Sequence, residues 1–132
     1  MDFKKRGSLI FYDINNSLDL SKNNLEYDVC IIGAGAAGIT VALDLEKKGF
    51  KVALCEAGNF EYSEISQDSY KGKIAADPYL PLDAARLRYL GGTTNHWAGW
   101  CRPFESIDFK RGYMGEHFKW PIEYADVFAY RD

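Results

Sequence analysis

From Tyr27 the chain runs YDVCII, with apolar and β-branched residues on consecutive positions instead of alternate ones. Strict alternation marks a strand with one wet face. A short run apolar on both faces suits a central parallel strand covered by helices. After the small-residue stretch GAGAAG the spacing changes. Ile39, Ala42 and Leu43 lie at intervals that share one helical face, and Glu46, Lys47 and Lys48 make the exit polar. Gly49 suits the left-handed position that ends a helix. A second apolar run, KVALCE, then reads as a strand closing on Glu56. The pattern predicts a βαβ unit over 27–56 and an α/β, Rossmann-like fold.

The remaining pattern is weaker. Residues 1–25 read as an N-terminal arm, punctuated by Asn15, Asn16, Asn23 and Asn24, with LIFYDI as a short edge strand or a docking segment. Residues 57–80 carry Gly58, Tyr62, Tyr70, Gly72, Tyr79 and an Asp77-Pro78 turn, with little periodicity; packing is the expected role of the tyrosines. LDAARLRYL, 82–90, suits a short helix leading into GGTTNHWAGWCRP. From Pro103 onward the text is loop-like, broken by Arg111-Gly112, Gly115 and Trp120-Pro121, and IEYADVFAY suits the start of another helix. A doubly wound sheet has about five or more parallel strands, whereas the pattern supplies two. The expectation is an incomplete domain, 26–132, forming the amino-terminal portion of a longer two-domain fold.

The glycines of the first motif each have a physical reason. Gly33, Gly35 and Gly38 fall in a G-x-G-x-x-G spacing directly after the first strand. The first glycine permits a tight turn, the second lets a pyrophosphate approach the backbone, and the third lets the helix pack on the sheet. Ala36 and Ala37 keep the first helical turn small beside free N–H groups and a positive dipole end. A carboxylate at Glu56 accepts hydrogen bonds from ribose hydroxyls and repels a 2′-phosphate, which favours FAD or NAD over NADP. The alternative is a structural βαβ unit with incidental glycines; spacing, context and the terminal acid together argue against it.

Composition narrows the rest. A chain of 132 residues, 47% hydrophobic and 15% aromatic, is globular. Its net charge of −3 gives no electrostatic footprint for nucleic acid. The three cysteines, Cys30, Cys55 and Cys101, form no C-x-x-C pair. Cys30 and Cys55 fall in strands predicted to be buried, which favours a reducing, cytoplasmic compartment and no metal site. No apolar run is long enough for a signal peptide or a membrane span. His117 reads as a surface or packing histidine. Asp13, Asp19, Asp28 and Asp44 read as solvated positions or turn formers.

RLRYLGGTTNHWAGWCRP is unusual for scaffolding. Gly91-Gly92 permits close backbone approach, and Thr93, Thr94 and Asn95 add small hydrogen-bonding groups. Arg86 and Arg88 stand just upstream, able to neutralise phosphate charge. On these residues alone, a cofactor loop and a tight structural turn remain equally open. Together, YDVCIIGAGAAG, YLGGTTNHWAG and the later WPIEYAD resemble the glucose–methanol–choline (GMC) family of FAD-dependent oxidoreductases, across about residues 25–130. The resemblance implies FAD as cofactor, with Gly33, Gly35 and Gly38 at the pyrophosphate, Ala37 beside them as a further cofactor-binding residue, and Glu56 at the ribose. Gly91, Gly92, Thr93 and Thr94 follow the cofactor toward the flavin, in a loop spanning 90–103, with Asn95 in the loop and Arg88 just upstream as further cofactor-binding residues. Branches of the family with a histidine at the offset of His96 attach FAD covalently. His96 is therefore expected to contact the flavin, with a covalent bond or a hydrogen bond within its own loop as the two options.

The resemblance further implies oxidation of an alcohol, a sugar- or choline-like CH–OH donor, to a carbonyl by hydride transfer to flavin. The family's proton-transferring histidine and its partner lie near the carboxyl end of longer chains, so no catalytic residue is assigned and turnover by these residues alone is not expected. An NAD-binding Rossmann module and a non-catalytic truncated remnant are the alternative readings.

Overall fold

The computed structural model describes residues 11–14, 26–75, 77, 79–110, 115, 117 and 120–130. The chain divides into two compact units, Met1–Asn95 and His96–Asp132. The expected asparagine punctuation of the arm lies outside the described residues, as do Pro78 and Arg111-Gly112.

The first unit is built on the predicted βαβ. Strand β1 (Val29–Ile32) pairs in parallel with β2 (Val52–Cys55), Val29 opposite Val52 and Ile32 opposite Cys55. Between them runs helix α1 (Ala36–Lys47). The ladder is extended at both ends. The Gly33 N–H donates to the Cys55 carbonyl (2.7 Å), and the Asp28 N–H donates to the Lys51 carbonyl (2.9 Å). Asp28, expected to be a solvated position or a turn former, also accepts the Lys51 N–H on its carboxylate (2.8 Å), pinning the start of the sheet. The end of α1 follows from Gly49. The N–H of Phe50 reaches the Leu45 carbonyl and that of Gly49 reaches the Glu46 carbonyl, the paired bonds of a Schellman cap.

Two expectations about burial are corrected. The inward face of α1 carries Gly38, Ile39, Ala42 and Leu45, not Leu43, which is exposed. Helical geometry places Leu45, three residues beyond Ala42, over the sheet, whereas Leu43 has turned toward solvent. The strands are also covered on one face only among the described residues. Ile31, beneath Gly38, faces α1, while Ile32 on the opposite face is 89% exposed. Cys30 and Cys55 lie on that bare face, exposed rather than buried, with their sulfurs 3.8 Å apart. An all-apolar strand predicts a cover on both sides, and the described residues supply one.

Beyond β2 the structure contains order that the weak periodicity concealed. Helix α2 (Glu64–Gln67) is capped by Ser63, whose hydroxyl accepts the Ser66 N–H, and continues into a 3-10 turn at Asp68–Tyr70. The helix expected over 82–90 stops early. Helix α3 covers Leu82–Ala85 only, and Arg86 is already extended. The reason is competition for hydrogen bonds. From Arg86 to Leu90 the backbone bonds to Gln67 and Asn59, and Tyr89 forms a parallel bridge with Asn59. Of the LIFYDI segment, residues 11–14 form no strand; Phe11 docks against Phe60, ring centroids 4.4 Å apart.

The second unit is held by aromatic side chains. Phe109, buried, packs against Phe104, Trp120 and Tyr124 at centroid distances of 5.7–5.9 Å, and Tyr124 meets Phe128 at 5.4 Å. The text expected to be loop-like also contains helix α4 (Ser106–Phe109), ahead of α5 (Tyr124–Phe128). Both start with capping boxes, Glu105 with Asp108 and Glu123 with Asp126, an acid-x-x-acid spacing that marks a helix start even without sustained periodicity. His117 is exposed.

Candidate functional site

The first unit brings its two glycine motifs together. Ala34, fully buried, is the junction. Its N–H donates to Glu56 Oε2 (2.8 Å) and its carbonyl accepts the N–H of Gly91 (2.8 Å). Gly35 and Gly91 form a parallel bridge. The turn at Gly91-Gly92 has φ of 88° and 56°, the left-handed region that only glycine enters without strain. Gly33, at φ 99°, makes the corresponding turn off β1.

The motif's three glycines are required for different reasons, and the structure separates them. A Cβ on Gly38 would collide with the carbonyl oxygen of Gly33, so its absence lets α1 pack on the strand turn. Gly35 is different. Its backbone is extended (φ −82°, ψ −175°), open to any residue, and a Cβ there would meet nothing within 4 Å. Neither the fold nor its packing explains a glycine at 35, so the space before it suits a group from outside the chain. That space adjoins the start of α1, where the N–H groups of Ala36, Ala37 and Gly38 have no intrahelical acceptor and no acidic side chain occupies the first turn. These features fit the pyrophosphate of a dinucleotide such as FAD.

Glu56, half-buried, directs its second oxygen to the N–H of Gly58 (2.8 Å). Each carboxylate oxygen thus accepts one backbone hydrogen bond and keeps a further lone pair, which leaves capacity for a ribose hydroxyl. The second motif's side chains face their own turn. Thr94 donates to the Gly91 carbonyl (2.5 Å), and the Asn95 amide donates to the carbonyls of Leu90 and Gly92 (2.9 Å each). The Thr93 hydroxyl accepts the Leu87 N–H (3.3 Å). One guanidinium nitrogen of Arg88 donates to Ser66 (2.9 Å). His96 ends the 3-10 turn Gly92–His96, is exposed, and opens the second unit.

Several residues of this cradle were not anticipated. Ala34 carries the junction through its backbone, which no side-chain pattern signals. Gly58 does leave a signal, an E-x-G directly after β2: a Cβ there would strike the Arg88 carbonyl, so glycine lets 58–59 approach 88–89. Gln67 and Ser66 reach the second motif from α2 and lie in a stretch without readable period.

An interlocked pair of glycine turns on a parallel βαβ defines a dinucleotide-binding unit. The chain belongs to the FAD dependent oxidoreductase family, whose model matches residues 28–120. It is 30% identical, over 129 residues, to the 2-methyl-1,2-propanediol dehydrogenase of Mycolicibacterium austroafricanum, covering 80% of this chain and 23% of that protein. It is 46% identical over 70 residues to the aerobic glycerol-3-phosphate dehydrogenase of Staphylococcus haemolyticus, 53% of this chain and 12% of that protein. A shorter match, 53% identical over 38 residues, is to the thiamine thiazole synthase of Thermotoga maritima, 29% of this chain and 15% of that protein. The chain thus spans less than a quarter of the length of these relatives. No solved structure matches. The family's cofactor is FAD, as the resemblance implied. Among the described residues no helix is long and apolar enough to cross a membrane.

Proposed function

We propose that this chain is the FAD-binding part of a GMC-type flavin oxidoreductase that oxidises a CH–OH donor to a carbonyl. The observation that carries the reading is the docking of Gly91-Gly92 on Ala34-Gly35, with Gly35 bare toward open space. A pyrophosphate would lie over Gly33–Gly38 beside the start of α1, the adenosine ribose would bond to Glu56, and the Gly91–Asn95 turn would follow the cofactor toward the flavin. Arg88 would add positive charge from the segment leading into that turn. Bound FAD supplies the hydride acceptor. These residues hold and orient it, and no catalytic residue is assigned among them. The similarity to a diol dehydrogenase supports an alcohol substrate. The glycerol-3-phosphate dehydrogenase relatives favour a second substrate reading, a phosphorylated polyol.

His96 is proposed to contact the flavin, with a covalent link as the sharper form of the idea. Two measurements on the purified chain test these readings. Titration with FAD and with NAD should give saturable binding of FAD and none of NAD; the reverse order would reject the cofactor assignment. After acid precipitation of the FAD-loaded chain, yellow colour in the pellet that is lost in His96→Ala supports the covalent link. Recovery of all flavin in the supernatant removes it.

A further inference from the structure

The one polar side chain buried among the described residues is Gln67, 4% exposed, and all three of its hydrogen bonds go to one segment. Its Nε2 donates to the carbonyls of Asp83 and Arg86 (2.5 Å each), and its Oε1 accepts the N–H of Arg88 (3.0 Å). Ser66, the residue before it, grips the same place. Its hydroxyl donates to the Arg88 carbonyl (3.0 Å) and accepts from the Arg88 guanidinium (2.9 Å). The gripped segment then runs without interruption into the second glycine motif. Leu90 donates to the Asn59 carbonyl, and Gly91 donates to the Ala34 carbonyl beneath Gly35.

We propose that Gln67 is the positioning residue that sets the Gly91-Gly92 turn against Gly35, and so governs how the flavin half of the cofactor is held; this rests on the FAD-binding reading above. The chemistry of the site selects glutamine. The segment offers two carbonyls and one N–H at this point, and a primary amide supplies two donors and one acceptor from a single planar group. A carboxylate of the same size has no donor for the carbonyls. An apolar side chain of similar length would leave three part-buried backbone groups without this partner. The ADP half is treated differently by this arrangement. Among the described residues, Gly33–Gly38, Glu56 and the start of α1 make no hydrogen bond to Gln67 and are hydrogen-bonded to 86–92 through Gly91 and Ala34 alone, so displacement of 86–92 acts chiefly on what lies beyond the pyrophosphate.

The test compares FAD with ADP on the full chain carrying Gln67→Glu, with Gln67→Met as a second variant, by calorimetric titration of each ligand. The expected result is FAD affinity weakened roughly tenfold or more and ADP affinity changed by less than about threefold, the loss of two hydrogen bonds being felt on one half of the ligand. Equal weakening of both ligands, including loss of both through unfolding, would make Gln67 a scaffold residue and overturn the proposal. So would unchanged FAD affinity in both variants. Wild-type chain that binds neither ligand would instead reject the FAD-binding reading itself.

Discussion

Replacing Gly35 with alanine separates what the fold needs from what the ligand needs. The backbone at 35 is extended, so alanine adopts it without strain, and the new Cβ meets no atom within 4 Å. Two small effects on stability oppose each other. Restricting the unfolded chain stabilises by about 0.4–1 kcal/mol. Position 35 is the N-cap of α1, where alanine is a poorer cap than glycine, at a cost of about 0.5–1 kcal/mol. The urea midpoint should therefore hardly move. FAD binding should fall, because a methyl in the space proposed for the pyrophosphate overpacks that contact by about 1–3 kcal/mol, roughly 5-fold to 150-fold in affinity. Gly38→Ala is the control with the opposite signature. Its Cβ would collide with the Gly33 carbonyl, and a backbone shift of this kind costs about 1–3 kcal/mol of stability before any ligand is added. Equilibrium urea unfolding and FAD titration on both variants give the comparison. A Gly35→Ala protein that unfolds early, or one that binds FAD as the wild type does, would refute the reasoning.

Further predictions follow from the same geometry. Glu56→Gln keeps one acceptor but turns an amide N–H toward Ala34 or Gly58, so stability should drop by about 1–3 kcal/mol in urea; an unchanged midpoint would contradict the assigned role. The same variant should relax discrimination against a ligand bearing a 2′-phosphate, measured as the ratio of affinities for ADP and 2′-phospho-ADP. The Cys55 thiol is held above its ordinary pKa, first by its hydrogen bond with Cys30 and then by partial desolvation. Removing the partner in Cys30→Ala should lower that pKa, raise the thiolate fraction at mildly alkaline pH, and speed iodoacetamide labelling of Cys55. A slower or unchanged rate would reverse the sign.

The βαβ core was legible because its signals are local. Apolar runs, the glycine spacing and Gly49 each act within a few residues, and the strands, helix and cap lie where those signals put them. Leu43 was misplaced because an angular pattern alone does not say where the sheet lies. The extended run 86–90 was read as helix for a related reason. LDAARLRYL has good helix formers, yet Gln67 and Asn59 offer its backbone other partners, and tertiary hydrogen bonds override propensity. The two glycine motifs were each visible; their contact through Ala34 was not, because backbone groups leave no mark in a side-chain pattern. Burial of Cys30 and Cys55 was inferred from strand character, but that character reports the cover a strand would accept and not the cover it has.

The central claim is that residues 33–38 and 91–95 form one cradle for one FAD. Hydrogen exchange followed by mass spectrometry, with and without FAD, tests it most directly. Binding should slow exchange in peptides covering both segments together, with ADP protecting the first far more than the second. Protection by FAD of 33–38 alone, or of neither segment, would contradict it.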